Sequence, residues 1–296
     1  MGKFHAGELE VQRRAGIDDE ERLGRGIRDR IPLGAQDFLA SLPLIMLTTV
    51  ASDGAPWISP LFGLPGFVRL VDDRTISVHS TPRQGDRWVG HLQANPMAGL
   101  LAMDFARRSR LRINGSAALE DGGLRLRLRE FYANCPQYIQ ARSLANELQG
   151  AAAARAIASA GLSPEQAARI SSSDTFFLGT VDSRAGADAS HRGGRPGFVR
   201  VESESRLTWP DYPGNQKFQS LGNIHSTPAA ALLFIDYQTG ATLQLGGTAA
   251  ILWDSPRLSE FPGAQRLVQF DIGEVVEVIP AQPLRWDFLE ASPFNP

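Results

Sequence analysis

The sequence predicts a mostly β chain with some helix, an α+β protein made of two tandem antiparallel β-barrels joined by a helical linker. Three observations predict it: a fixed-offset internal repeat, short apolar and β-branched runs set off by turn residues, and a central stretch whose composition favours helix.

The repeat sets the architecture. Residues 47–69 lie on residues 178–200 at an offset of 131 without a gap, and eleven of the 23 positions are identical. LTTVAS faces LGTVDS, Ser59 faces Ser190, and PGFVR faces PGFVR. After one inserted residue, 96–119 lies on 228–251 with nine of 24 positions matching, against about two expected from ordinary residue usage. Two copies of one unit, related by an approximate twofold, are the economical explanation.

In the first half the strands are LIMLTTV, GFVRLV and TISVHS, separated by turn sequences such as ASDGAP and DDR. The second half repeats them in TFFLGTV, GFVRVE, RLTW, AALLFIDY, TLQLGGTAAIL and RLVQFDIGEVVEVI, with Thr239 and Gly240 at a hairpin turn. Between the fourth and fifth strands, residues 87–94 and 216–226 have helical spacing and stop at or just before a proline. Gly115 and Gly247 hold matching places in a late strand and predict a bulge or close backbone approach in both copies. The resulting division is an N-terminal extension 1–39, a first barrel half 40–121, a helical linker 122–173 rich in Ala, Leu, Arg and Gln, and a second half 174–296. Ser163, Pro164 and Gln166 read as N-cap, first-turn proline and capping-box partner of the last linker helix.

Composition narrows the function classes. With 43% hydrophobic residues in 296, the chain can bury one large core or two ordinary ones. A net charge of −2 offers no overall field for nucleic acid, so an anion site has to be built locally. The single cysteine, Cys135, excludes an internal disulfide and a multi-cysteine metal centre, and with no sequence-adjacent base it reads as structural. No metal site is expected. Neither a signal-peptide pattern nor a bilayer-length apolar run of roughly 20 residues occurs, so a cytoplasmic location without a membrane partner is expected.

The runs FHAGELEVQRRAG, NCPQYIQAR (134–142), SDTFFLGT, SHRGGRPGFVRV (from Ser190) and YPGNQKFQSLGNI (from Tyr212) span nearly the whole chain. They resemble the FMN-binding proteins related to pyridoxamine 5'-phosphate oxidase, in the long branch with two barrel halves. The resemblance implies FMN-binding split β-barrels, FMN as cofactor, and redox chemistry where the halves meet. One departure stands out: the oxidases proper open the crossing helix with a basic pair that holds the flavin phosphate. Gln219 and Ser220 stand there in this chain's second half, which speaks against vitamin B6 oxidation.

FMN needs donors for a phosphate dianion, polar partners for the ring edge, and apolar surface for the ring faces. Ser190, His191 and Arg192 end a strand just before Gly193 and Gly194, whereas the first half has Ser59, Pro60 and Leu61 there. That divergence between copies points to the second half, with Arg192 as principal phosphate holder. Asn215, Lys217, Ser220 and Asn223 surround the start of the crossing helix, where free backbone N–H groups favour an anion. Tyr212 lies beside them, while Phe218 and Leu221 fit core packing better. From the first half, Trp57 and Ser59 are candidate flavin contacts, with Arg83, Arg87 and Trp88 as a further surface.

No catalytic Ser/His/Asp set, phosphate-gripping loop or HExxH motif is present, so the catalytic residues are unassigned. The expected function is an FMN-dependent oxidoreductase acting on a small molecule, with NAD(P)H as a candidate electron donor. The alternative is a non-catalytic flavin- or haem-binding protein, with His191 or His225 as axial ligand. A homodimer is optional, since two halves already form a pseudo-dimer.

Overall fold

The computed structural model describes residues 3–146, 154–281 and 284–296. The N-terminal segment carries α1 (Ala6–Arg14), α2 (Glu20–Gly24) and α3 (Gln36–Ser41). His5 caps α1, and Glu8 reaches back to the His5 N–H to close a capping box.

The first half holds β1 (Leu44–Val50), β2 (Pro56–Phe62), β3 (Val68–Asp72), β4 (Thr75–His79), the crossing helix α4 (Trp88–Ala94), β5 (Met97–Asp104), β6 (Ser109–Glu120) and β7 (Gly123–Asn134). Next come β8 (Ala141–Leu144), β9 (Ala154–Ser159) and α5 (Pro164–Ser172). The second half has β10 (Thr175–Asp182), β11 (Gly186–Gly193), β12 (Arg200–Ser203), β13 (Arg206–Asp211), α6 (Gln219–Ser226), β14 (Ala229–Ile235), β15 (Thr242–Leu252) and β16 (Arg266–Pro280). Last is β17 (Trp286–Glu290), which pairs with β8.

The two large sheets have one topology. The first runs β2-β1-β5-β6-β7-β4-β3 and the second β11-β10-β14-β15-β16-β13-β12, with β9 added on β16. Each strand of one half therefore has a counterpart in the other. Within the first half, Leu61 from one end of the sheet and Val68, Ile76 and Val78 from the other share a single core. The sheet is rolled around that core and open between its end strands, a split barrel.

β1 and β10 are buried along their whole length because both faces are used. Ile45 and Leu47 enter the first barrel core, while Leu44 and Met46 join Ile58, Phe177, Ala189 and Leu233 in an apolar layer between the halves. Contacts across the layer are reciprocal, with β11 on β5 and β14 on β2. Thr48 and Gly179, which hold the same place in the repeat, meet each other: a Cβ on Gly179 would stand 2.8 Å from Thr48 Oγ1. Two equivalent positions in mutual contact lie on the pseudo-twofold axis.

The expected bulges are present. Register shifts fall at Asn114/Gly115 and Gly246/Gly247. A Cβ on Gly115 would come 2.0 Å from the Arg127 carbonyl oxygen, and one on Gly247 2.1 Å from that of Asp271. The first crossing helix and the Ser163 capping box also stand where the sequence places them, while the second crossing helix begins at Gln219 rather than 216, because Gln216 and Phe218 take left-handed backbone ahead of it.

The helical linker is not what forms over 122–173. Residues 123–134 are the last strand of the first sheet, so that half runs on past residue 121, and β8 and β9 follow. Among the described linker residues only α5 is helical; residues 147–153 lie outside them. GLRLRLREFYAN alternates apolar and charged residues with period two, and that pattern, together with pairing to β4 and β6, overrides the helix propensity of Leu and Arg. No helix among the described residues is long and apolar enough to cross a membrane.

Candidate functional site

An open cleft lies between the halves. The second half contributes the end of β11, the end of β13, the 212–218 loop and the start of α6. The first half contributes β6, the end of β7 and the turn that follows it. Tyr138, Gln216 and Phe218 on its wall are three of the four non-glycine residues with left-handed backbone among the described residues. Such conformations each cost about 1–3 kcal/mol and persist where the surroundings enforce them, commonly at ligand sites.

Beneath the wall sits a buried polar network. Asp188, on β11, accepts hydrogen bonds from Arg112 Nη1 (3.2 and 3.0 Å), Asn114 Nδ2 (3.1 Å), the Tyr132 hydroxyl (3.3 Å) and Ser220 Oγ (2.9 Å). Ser220 Oγ is also 2.9 Å from Ser190 Oγ. Three of these partners of Asp188 come from β6 and β7 of the first half, so the network crosses the pseudo-twofold interface.

The charge balance of the cleft is positive. Arg192 Nη1 donates to Asp211 at 2.8 Å, and Arg266 stands 3.7 Å from the other Asp211 oxygen. Three guanidiniums line the cleft, those of Arg110, Arg112 and Arg192, with Arg266 behind Asp211, and the only carboxylates paired with them among the described residues are Asp188 and Asp211. Among the described residues Arg110 has no carboxylate within ion-pair distance; its Nη1 donates to His191 Nδ1 at 2.7 Å and its Nη2 to the Gln137 carbonyl at 3.4 Å. Burial and the neighbouring Arg112 and Arg192 push Arg110 down to about 10, so it stays charged at neutral pH. Burial, with the same guanidiniums nearby, drives His191 well below its ordinary value and keeps it neutral. Since a guanidinium can only donate, His191 Nδ1 accepts and Nε2 carries the proton.

Several polar atoms in the cleft are buried without a protein partner: the Nε atoms of Arg110, Arg112 and Arg192, His191 Nε2, Asn134 Oδ1 and Gln219 Nε2. Buried polar atoms are nearly always satisfied, so a group of orphans asks for a partner. Orphans also occur at Trp57 Nε1, Arg83 Nη2, Asp86 Oδ1, Thr242 Oγ1 and Gln244 Oε1, and what sets this cleft apart is that its orphans are mainly donors, the cationic arginine Nε atoms foremost. Their chemistry, cationic donors on one wall and Tyr138 and Tyr212 with rings 5.2 Å apart on another, fits an anionic aromatic cofactor. A second cavity, of about 230 Å³, is lined by Arg142 and Arg169 among others. There the cations are matched: Asp174 takes two bonds from Arg142 at 2.7 and 2.6 Å, and Glu277 holds Arg169. It offers no charge for an anion.

The sequence candidates divide into three groups. Ser190, His191, Arg192 and Ser220 come together at the cleft or directly beneath it, and Asn215 lines its loop, where it accepts from the Lys217 N–H at 3.1 Å. Lys217 stands nearby, half-buried, with Nζ over Gly26 of the N-terminal segment; burial and the Arg112 and Arg22 charges lower its pKa. Asn223 is elsewhere: it faces α1, bonding Thr180 Oγ1 at 3.0 Å and His5 Nε2 at 2.9 Å, because a residue three on from Ser220 rotates past the cleft towards the N-terminal helix. Trp57 and Ser59 also lie outside the cleft, at its pseudo-twofold mate, where β15 and β16 of the second half cover them. Sequence reasoning missed Arg110, Arg112 and Asp188. The divergence between copies that marked Arg192 marks these too, since Thr242, Gln244 and Trp57 are the corresponding residues, but which half faces which is not written in the repeat.

The family model described as pyridoxamine 5'-phosphate oxidase matches twice, over residues 34–154 and 162–284. The chain belongs to the pyridoxamine 5'-phosphate oxidase family. None of the curated proteins matches it. Similar solved structures include Group A Streptococcus HupZ, at 11% identity over 42% of this chain and 98% of that one, with a TM-score of 0.33. Another is a FAD-binding protein from Mesorhizobium loti, at 10% identity over 42% and 97%, with a TM-score of 0.31. A third is a Clostridium acetobutylicum protein related to general stress protein 26 of B. subtilis, of the pyridoxinephosphate oxidase family, at 12% identity over 41% and 89%, with a TM-score of 0.29.

Proposed function

We propose that the protein is an FMN-dependent oxidoreductase whose flavin occupies the cleft beside Arg110, with a small molecule as substrate or electron donor. The observation that carries this reading is the Arg110 guanidinium, held against a neutral His191 with no carboxylate in reach among the described residues. An uncompensated, largely enclosed charge is costly, and an anionic ligand removes the cost. Family membership makes a flavin phosphate the fitting anion. Arg110, Arg112 and Arg192 would hold it, and these cations, drawn mainly from the first half, take over the task that Gln219 and Ser220 cannot perform.

Bound flavin supplies hydride and electron transfer at its ring, so the chain's residues need only bind, orient and exclude water. Neutral His191, with its proton on Nε2, offers a donor rather than a metal-binding lone pair. That favours flavin over haem at this position, and His225 is exposed at the end of α6.

An absorption spectrum of the purified protein tests the reading: paired flavin bands in the blue and near ultraviolet are expected, bleached on adding NADH or NADPH. A single intense Soret band would overturn it in favour of haem. Flavin bands that no donor bleaches would leave a flavin carrier and overturn the oxidoreductase assignment.

A further inference from the structure

The pseudo-twofold that places one cleft between the halves generates a second, related position, and its residues can be compared one by one with those of the first. We infer that the chain holds a single flavin, in the cleft at Arg110, and that the mate of this cleft is a filled and charge-balanced remnant. The inference rests on the flavin reading above.

Three observations carry it. The first is volume. Where the cleft has Asp188, its mate has Trp57, 3% exposed. Where the cleft has Asn114 and Tyr132, the mate has Gly246 and Val276, matched through the strand pairing of each sheet. A Cβ on Gly246 would stand 3.0 Å from Trp57 Cζ3, so the indole takes the space that this position leaves. The positions of Arg110, Asn134 and Arg192 are taken by Thr242, Val278 and Leu61, each about 1% exposed.

The second is covering. β9 adds to β16 over Val275–Pro280, and its Ala154 and Ala156 pack with Trp57, Val276 and Val278. On the corresponding stretch of β7 only the isolated bridge from Arg28 to Phe131 is found among the described residues. Among the described residues one site has a strand across its mouth, while the other has only the N-terminal segment packed beside it, with Phe4, Leu23 and Ile27 on Tyr132.

The third is charge. At the mate each cation has its own carboxylate. Glu274 takes two bonds from Arg87, at 2.7 and 2.5 Å, and the Arg87 guanidinium lies 4.1 Å over the Trp57 ring. Arg83 stands 4.0 Å from Asp86 and 4.6 Å over Phe62. Two cations meet two carboxylates there, whereas cations outnumber carboxylates at the cleft, so the mate carries no excess positive charge for a phosphate.

The test is stoichiometry. The full chain is saturated with FMN, freed of unbound flavin by gel filtration, and assayed for flavin released on denaturation against protein from amino-acid analysis. One flavin per chain is expected. Two per chain would overturn the inference and leave the functional reading intact; none, with FMN or FAD, would overturn both. Two variants locate the site. Arg110→Ala should weaken FMN binding about 10- to 100-fold, while Glu274→Gln, at the mate, should leave the ratio at one and affinity within about twofold. Loss of flavin from Glu274→Gln with retention in Arg110→Ala would place the cofactor at the mate and overturn the inference.

Discussion

The Arg112 guanidinium of the first half meets the Asp188 carboxylate of the second at 3.0 Å, and both are buried. A pair of this kind adds little net stability over an apolar replacement, but removing one partner strands the other. What the pair does supply is register: the two halves can satisfy Asp188 only when β11 and β6 are aligned as they are. Asp188→Ala is therefore expected to destabilise the chain by about 3–5 kcal/mol, with Asp188→Asn less severe because Tyr132, Ser220 and Asn114 can still bond an amide in part. Urea denaturation of both variants and of the Arg112→Met/Asp188→Leu double variant checks it. A double variant no more stable than Asp188→Ala would mean that lost packing, not a stranded charge, sets the cost.

The glycines at the two bulges should behave alike. Alanine at Gly115 or Gly247 would drive a Cβ into a carbonyl oxygen of the adjacent strand at 2.0 and 2.1 Å. Neither strand can retreat, since each is paired on its far side, β7 with β4 and β16 with β13. Overpacking typically costs about 1–3 kcal/mol, and contact with main chain belongs at or above the top of that range. Thermal unfolding of Gly115→Ala and Gly247→Ala should show comparable losses. A near-neutral result at either would mean that the bulge can open.

Fold and site were legible to different depths, for physical reasons. Strands such as LIMLTTV and TFFLGTV announce themselves because burial on both faces demands an unbroken apolar run, and the repeat then orders them twice. β7 was hidden because Leu and Arg favour helix while their alternation favours strand, and only pairing with β4 and β6 decides between the two. Arg192 could be found because its counterpart is Leu61. Arg110 and Arg112 lie 82 and 80 residues earlier in the sequence and reach the same cleft only through the pseudo-twofold. Asn223 and Ser220 are three apart on one short helix, yet α1 covers the first and the cleft network takes the second.

Docking of the N-terminal helix should depend on pH through Glu8. Burial pushes this carboxyl up to about 8, opposed by the hydrogen bond from His5 N–H and reinforced by Glu130 and Asp188. In the unfolded or undocked chain it titrates near 4.5. The docked state therefore holds the proton more tightly, and its stability falls as pH rises from about 4.5 to about 8, by up to roughly 4 kcal/mol. His5, lowered by burial, works in the opposite sense by opposing docking as the medium turns acid below its ordinary value, and Asp182 and Asn223 face it. Glu8→Gln should remove the alkaline-side loss. Amide protection of residues 6–14, corrected for intrinsic exchange, is expected to drop between pH 5.5 and 8.5 in the parent protein and to stay level in Glu8→Gln. Equal behaviour would place the titrating group elsewhere.

The phosphate seat gives the most discriminating prediction, because FMN and riboflavin differ only at that end. Arg192 is already held by Asp211 at 2.8 Å, whereas Arg110, which bonds His191, the Gln137 carbonyl and the neighbouring Cys135, has no carboxylate within ion-pair distance among the described residues, so the larger unmet demand for an anion lies at Arg110. A charge-assisted bond to phosphate is worth about 1.5–3 kcal/mol, which is about 10- to 100-fold in affinity. Arg110→Ala is expected to lose that much for FMN and little for riboflavin. Arg110→Lys should recover part of it, since a point charge replaces a fork that bonds in two directions. Arg192→Ala should also weaken FMN selectively, since it leaves the Asp211 carboxylate with Arg266 as its remaining partner and adds repulsion to the lost bond. Titration calorimetry of the apoprotein with both flavins, at two salt concentrations, measures all of this, and the FMN term should shrink as ions screen it. If Arg110→Ala weakened both flavins equally, Arg110 would be supporting the cleft wall rather than a phosphate, and the anion would have to sit nearer Arg192 and Lys217.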